Sequence, residues 1–245
     1  MCGRLTEGSK YPPETDEDLN NTVWLPPLRS NASRTPARRG KGSVRGATPD
    51  LSENRVKVFE SDRLERGLLS ILMADRRVAH IQDQPKPVAY MTPAGRERTH
   101  TFDFLVTFRD GRRVAYAAKP LAKVESTGIE TTLRLIRKQS LSGFADAAVL
   151  RTEKTVPKRG IYNARTILRA RSNRNLEDVR VAFREAAKLN GWVRLGALVR
   201  ATGMNARGRI AVLCLVDEGM LEPENGAWLG DETHLRFNPN AKLSI

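Results

Sequence analysis

Between Ser61 and Ala74 apolar residues recur at helical spacing as Leu64, Leu68, Ile71 and Leu72, predicting a helix whose flank carries Glu65. Val78–Gln84 and Val88–Thr92 read as short strands, the second leading through Pro93-Ala94-Gly95 toward a third. Two apolar runs within His100–Pro120 flank Asp110-Gly111, a hairpin signal that makes the strand of Asp103 and the strand ending at Lys119 antiparallel neighbours. Ile129, Leu133 and Ile136 predict a helix over Gly128–Gln139, and Phe144–Leu150 reads as a further strand. Helix, strands, helix, strand is the order of an α/β domain with a mixed sheet and flanking helices, placed at residues 51–157.

The pattern breaks at Pro157-Lys158-Arg159-Gly160, and Arg165, Arg169, Arg171 and Arg174 give residues 158–174 the look of a basic linker. Beyond it, Asn175 is an N-cap for a helix reaching Asn190 and closed by Gly191. Leu195–Ala201 and Asn205–Glu218 read as two more helices around the turn Thr202-Gly203-Met204. Met220–Pro223 and Ala227–Leu229 then form a hairpin about Glu224-Asn225-Gly226. Three helices followed by a hairpin predict a winged helix-turn-helix over residues 175–245. Asn205, Arg207 and Arg209 would stand where such a domain touches DNA or a protein partner.

Composition narrows the partner. The chain carries 42 Lys and Arg against 28 Asp and Glu, a formal charge of +14, which favours a polyanion, and nucleic acid ahead of a membrane surface because no long apolar run is present. Residues 1–50 mix Pro, Gly, Ser, Asn and Arg without apolar periodicity and read as a flexible basic tail; Val23–Leu28 is an alternative docking peptide. Cys2 and Cys214 are too few for a disulfide framework or a zinc site, and Cys214 reads as core. No signal peptide opens the chain, so a cytoplasmic protein is expected. Met1-Cys2-Gly3-Arg4 matches the start of the SRAP peptidases, but the residues after it do not continue that pattern.

The chemistry concentrates between His100 and Pro120. The hairpin puts Asp103 and Lys119 at similar distances from its turn, and alternation along the second strand puts Ala117 on the face of Lys119. An acid between Phe102 and Phe104 is costly to bury without a cation or hydrogen bonds. His100, His80 and His234 stand apart from any second ligand at metal-site spacing, and His100 reads as a structural hydrogen-bonding residue.

Several pieces in order resemble the restriction-endonuclease-like superfamily, with its Pro-Asp and Asp/Glu-any-Lys signature, and more closely the TnsA-like endonuclease subunits of heteromeric bacterial transposases. They are Glu65 within Glu60-Ser-Asp-Arg-Leu-Glu-Arg-Gly-Leu-Leu, Gln84-Pro85 after a strand, His100 ahead of Asp103, and the strand ending Ala117-Ala118-Lys119-Pro120. The resemblance implies Glu65, Asp103 and Lys119 as catalytic residues, with a Mg²⁺, replaceable by Mn²⁺, on Glu65, Asp103 and the Ala118 carbonyl. The signature's third acid is here Ala117. Glu130 would be a replacement acid, while Gln84 and His100 would support water or phosphate. The family further implies a DDE-type transposase and an AAA+ ATPase regulator as partners besides DNA. Two other functions stay open: a catalytically silent nuclease fold acting as a DNA-binding or adaptor protein in regulation, which Ala117 favours, and a stand-alone repair or junction nuclease.

Overall fold

The structure, a computed structural model, describes residues 26–34, 45–61 and 63–241. Its centre is a four-stranded sheet in the order β3-β6-β7-β8, built from Val78–Asp83, Phe104–Phe108, Arg113–Ala118 and Ala147–Arg151. The β6–β7 hairpin pairs Phe104 with Tyr116 and turns at Gly111, whose φ of 86° suits a residue without a Cβ. β3 joins β6 antiparallel, whereas β8 joins β7 parallel, with Val114 opposite Ala147.

Alternation sorts this sheet into two faces. Phe104, Val106, Phe108, Val114, Tyr116 and Ala118 pack with Leu68 and Leu72 of helix α1 (Glu65–Ala74) and with Leu64 at its N-cap. Leu105, Ala115 and Ala117 face the opposite way, onto Ile129, Leu133 and Ile136 of α3 (Ile129–Gln139). A short helix α2 (Leu121–Thr127) precedes α3, from which left-handed Gly128 separates it. Beside β3, strand β1 (Gly46–Asp50) pairs antiparallel with β2 (Arg55–Phe59), and β4 (Val88–Met91) pairs with β5 (Glu97–His100). This mixed α/β arrangement fits a restriction-endonuclease-like fold.

Order begins earlier than the composition implies. Residues 26–34, read as part of the tail, lie along β2 and the end of β3. Leu28 bridges to Arg55, the Ser30 hydroxyl donates to Asp83 Oδ2 at 2.6 Å, and the Ser33 amide donates to Gln84 O at 2.8 Å. Asp83 is fully buried and also accepts from the Val58 amide at 2.7 Å, so a buried carboxylate fixes a segment that has no hydrophobic period. The remainder of residues 1–50, including Val23, Trp24 and Leu25 of the Val23–Leu28 peptide, lies outside the described residues apart from Arg45 and β1.

The stretch read as a linker is helical. Lys158–Ser172 forms α4, because Ala164, Ile167 and Ala170 are buried at helical spacing that the surrounding arginines obscure in sequence. It stacks on α1, where a Cβ on Gly67 would meet Ile161 Cδ1 at 2.5 Å. Arg171 completes the joint. Its guanidinium donates to Met73 O and Ala74 O at the end of α1, both at 2.9 Å, and to Asp217 at 3.0 and 2.8 Å. Burial alone would raise the Asp217 pKa, yet Arg171 and Arg76 outweigh it and hold the carboxyl below its usual range.

Behind α4 come α5 (Leu176–Ala186), α6 (Leu195–Ala201) and α7 (Ala206–Asp217) around one apolar core. Asn175 caps α5 as expected, accepting from the Asp178 amide at 3.1 Å. The strands differ from expectation. A three-stranded sheet runs β10-β11-β9, from Leu221–Pro223, His234–Phe237 and Trp192–Arg194. Ala227–Leu229, expected as the second hairpin strand, is instead a loop held by Asn163, which donates to Ala227 O and accepts from the Leu229 amide, both at 2.9 Å. The anchoring sinks Leu229 to 2% exposure and hands the pairing to β11. His80 and His234 are not isolated, since their Nδ1 atoms lie 2.7 Å from Glu53 and 3.6 Å from Glu224. Cys214 is core, as expected, with its thiol against Ala170 O. No helix among the described residues is long and apolar enough to cross a membrane.

Replacing Arg171 by Met should cost about 2 kcal/mol, because it strips two helix-end carbonyls and half of the cationic cover from buried Asp217. Urea denaturation checks this, and a loss under about 0.5 kcal/mol would reduce the joint to a surface ion pair.

Candidate active site

Asp103 lies in the bend just before β6, where backbone bonds fix it from both sides. Its amide donates to Tyr116 O and its carbonyl accepts from the Gln84 amide, each at 2.9 Å. Its side chain turns to the end of β7, where Oδ2 accepts from the Ala118 amide at 2.7 Å. Glu65 reaches the same place from the first turn of α1, and its Oε2 accepts from the Glu60 amide at 2.7 Å. Lys119 follows directly after β7, its backbone tied to Arg151 O. These elements enclose a pocket of about 350 Å³ lined by Arg34, Glu60, Glu65, Thr99, His100, Thr101, Asp103, Ala117, Ala118 and Lys119.

The two carboxyls are strained electrostatically. Burial, followed by the charge of Asp103, lifts Glu65 from 4.5 to about 7. Burial also lifts Asp103, from 3.8 to about 6, against the pull of the Ala118 amide, Lys119 and Arg34. Each acid is gripped through one oxygen by a backbone N–H, while its other oxygen has no hydrogen bond among the described residues. Lys119 likewise has no ion pair among the described residues, leaving its ammonium available to an incoming anion. His100 is desolvated and sits beside the charges of Lys119 and Arg34, so its pKa falls from 6.5 to about 4 and the ring is neutral. Its Nε2 is buried without a partner among the described residues, and the ring meets Phe102 edge-on.

The remaining sequence candidates divide. Gln84 is buried at a φ of 41° and does not line the pocket; it acts through Arg34, whose Nε donates to Gln84 Oε1 at 2.8 Å. Glu130 is exposed and absent from the pocket, because Ile129 and Leu133 point α3 into the core and turn the intervening acid to solvent. Ala117 is 1% exposed, packed toward Ile129 and Leu133, so its methyl serves the core where an acid would need a cation. Asn205, Arg207 and Arg209 open α7, far along the chain from this pocket; Arg207 pairs with Asp178 and Arg209 with Asp231.

Sequence reading missed Arg34 and Glu60. Arg34 arrives from the segment taken for tail and donates to Glu60 at 3.2 Å, tying that segment to the pocket rim. Glu60 had a signal, standing five residues before Glu65 at the end of β2, but nothing in its neighbourhood distinguishes it from a surface acid.

Among the described residues no group of three or more His, Cys, Asp and Glu is gathered for a metal ion. The pocket does gather the carboxylates of Glu65 and Asp103, with Glu60 at its rim. Two carboxylates would suit a small hard cation which keeps several waters of its own, and the elevation of both pKa values, by burial first and for Glu65 by the charge of Asp103 next, is a penalty such a cation would reduce.

Acids with folded pKa values above their unfolded ones contribute stability that is full at low pH and lost as pH rises through the folded values. Between about pH 6.5 and 8 metal-free protein should lose thermal stability as Glu65 ionises at about 7. His100, neutral in the fold and half protonated near 6.5 when unfolded, contributes an opposite and smaller slope that dies away by about pH 7.5. The check is a melting-temperature profile in EDTA, where Glu65→Gln should flatten the fall between pH 6.5 and 8; an unchanged slope would refute the strained pair.

Comparison with known proteins converges on this region. No curated protein matches the chain. Residues 75–192 match the family described as TnsA-like endonuclease N terminal, a segment that contains Asp103 and Lys119 and begins ten residues after Glu65. Over these residues, just under half of the chain, the sequence is similar to the TnsA-like endonuclease family.

Proposed function

We propose that the chain is a divalent-metal-dependent DNA endonuclease subunit of a heteromeric transposase, hydrolysing phosphodiester bonds at transposon ends. The observation that carries this reading is the pair Glu65 and Asp103, each with one oxygen held by a backbone amide, beside the unpaired Lys119 in one pocket. Glu65 and Asp103 would hold Mg²⁺ or Mn²⁺, with the Ala118 carbonyl as the further protein oxygen. When bound, the ion supplies a more acidic water and offsets charge on the phosphate. Lys119 places a positive charge where a phosphate would enter, and Arg34 adds a second at the rim. Hydrolysis forms a bond from the water oxygen to phosphorus as the bond to the departing strand oxygen breaks.

The family supports DNA as substrate and a transposase of the DDE type as the subunit cutting the other strand. An AAA+ ATPase regulator follows from the same kinship. The helices α5, α6 and α7 with the β10-β11-β9 sheet support reading the C-terminal unit as a winged helix. The pairing of Arg207 and Arg209 with Asp178 and Asp231 makes a protein contact as reasonable a use of α7 as a DNA contact. Ala117 supports a second reading, a silent nuclease scaffold, because the position supplies no ligand and its methyl is spent on the core.

Calorimetric titration with Mn²⁺ separates the two. A working centre binds saturably, and Glu65→Ala and Asp103→Ala each abolish binding; no binding up to roughly 10 mM, beyond the range of weak protein sites, favours the scaffold. In cleavage reconstituted with the transposase, Asp103→Ala should reduce nicking at least ~1000-fold while duplex affinity in EDTA stays within about threefold.

A further inference from the structure

Outside the carboxylate pocket lies a larger cleft of about 850 Å³ between α4 and α7. Its floor is apolar, from Ile161, Ala170, Ile210 and Leu213, and its walls are cationic. Along α4 the wall residues are Lys158, Tyr162, Arg165 and Arg169, spaced by four, three and four, which puts all of them on one exposed face about 16 Å long. Arg63, two residues before Glu65, lines the same cleft and brings it to the edge of the catalytic helix.

This face differs from an ordinary solvated helix surface. Such surfaces interleave opposite charges at helical spacing, as α5 does with Glu177 and Arg180. Helix α4 has no Asp or Glu at all, and Arg165 and Arg169 form a like-charged pair one turn apart. Among the described residues, the side chains of Lys158, Arg165 and Arg169 have no ion pair or hydrogen bond. The contrast with Arg171 on the same helix is direct, since that side chain is consumed by Asp217 and the end of α1. Tyr162 is 43% exposed and leans on the exposed Trp228 at 5.2 Å between ring centroids, so the cationic row carries an aromatic platform as well.

We infer that the α4 face, with Arg63, is a track for the DNA phosphate backbone that carries the duplex past the carboxylate pocket. The inference rests on the nuclease reading for its ligand, while the surface is defined by its own unpaired charges. A row of unpaired cations repels itself until a polyanion covers it, and successive phosphates on one strand match a row of this kind better than any single small anion does. The track also gives α4 a second duty: it joins the catalytic unit to the C-terminal unit and presents charge along the seam.

The test is the salt dependence of binding to a labelled duplex of arbitrary sequence, measured in EDTA so that no metal is needed. The triple variant Lys158→Ala/Arg165→Ala/Arg169→Ala should lower the slope of log affinity against log salt by about 2 to 3, and affinity near 100 mM salt by about 10- to 100-fold. A second triple, Lys123→Ala/Arg134→Ala/Lys138→Ala, removes equal charge from α2 and α3 on the other side of the sheet and should change the slope by less than about 1. Repeating the α4 change with Gln keeps helix propensity and side-chain bulk, and melting temperatures confirm folding. Equal effects from the two surfaces, or none from α4, would overturn the track. Failure of Mn²⁺ binding at Glu65 and Asp103 bears on the nuclease reading alone, because the duplex measurement proceeds without metal.

Discussion

Two carboxyls that repel one another, Glu65 and Asp103, share a desolvated pocket, and much of the surrounding structure serves to keep them there. Each is tethered by a backbone amide, from Glu60 and from Ala118, and backbone amides at the end of a strand cannot rotate away as a side chain can. The sheet fixes the Ala118 amide through the β6–β7 and β7–β8 ladders, and the packing of Leu64, Leu68 and Leu72 fixes α1. A pair held in this way carries a cost of burial and repulsion that a cation between the two carboxylates would reduce. The absence of an acid at Ala117 follows the same economy, since that side chain faces the α3 core.

Polar anchoring takes over where apolar periodicity ends. Residues 26–34 contribute little to the core, yet Asp83, Gln84 and Glu60 hold them by hydrogen bonds, and this brings Arg34 to the mouth of the pocket. Arg171 plays the corresponding part on the other side of α1, where one guanidinium satisfies two helix-end carbonyls and a buried carboxylate at once. The helix that carries Arg171 thus belongs mechanically to both units, which is why its exposed row of cations lies beside the helix of Glu65.

The hydrophobic pattern by itself determined α1, the β6–β7 hairpin, α3 and the three C-terminal helices, because burial of one face imposes a period that survives in the sequence. It also brought Asp103 and Lys119 to one end of a hairpin, since antiparallel register follows from the turn. Tertiary structure alone decided the rest. Arg34 and Glu60 reach the pocket through contacts spanning tens of residues that leave no local period, and α4 was hidden because its buried Ala164, Ile167 and Ala170 are outnumbered by arginines. Glu130 lost its place to helix rotation, and the β11 strand gained its place when Asn163 captured the loop at Ala227–Leu229. Local patterning records which face of an element is buried, whereas the partner that a polar group finds is set by long-range geometry, and that geometry decides which charges stay paired and which are left to meet a ligand.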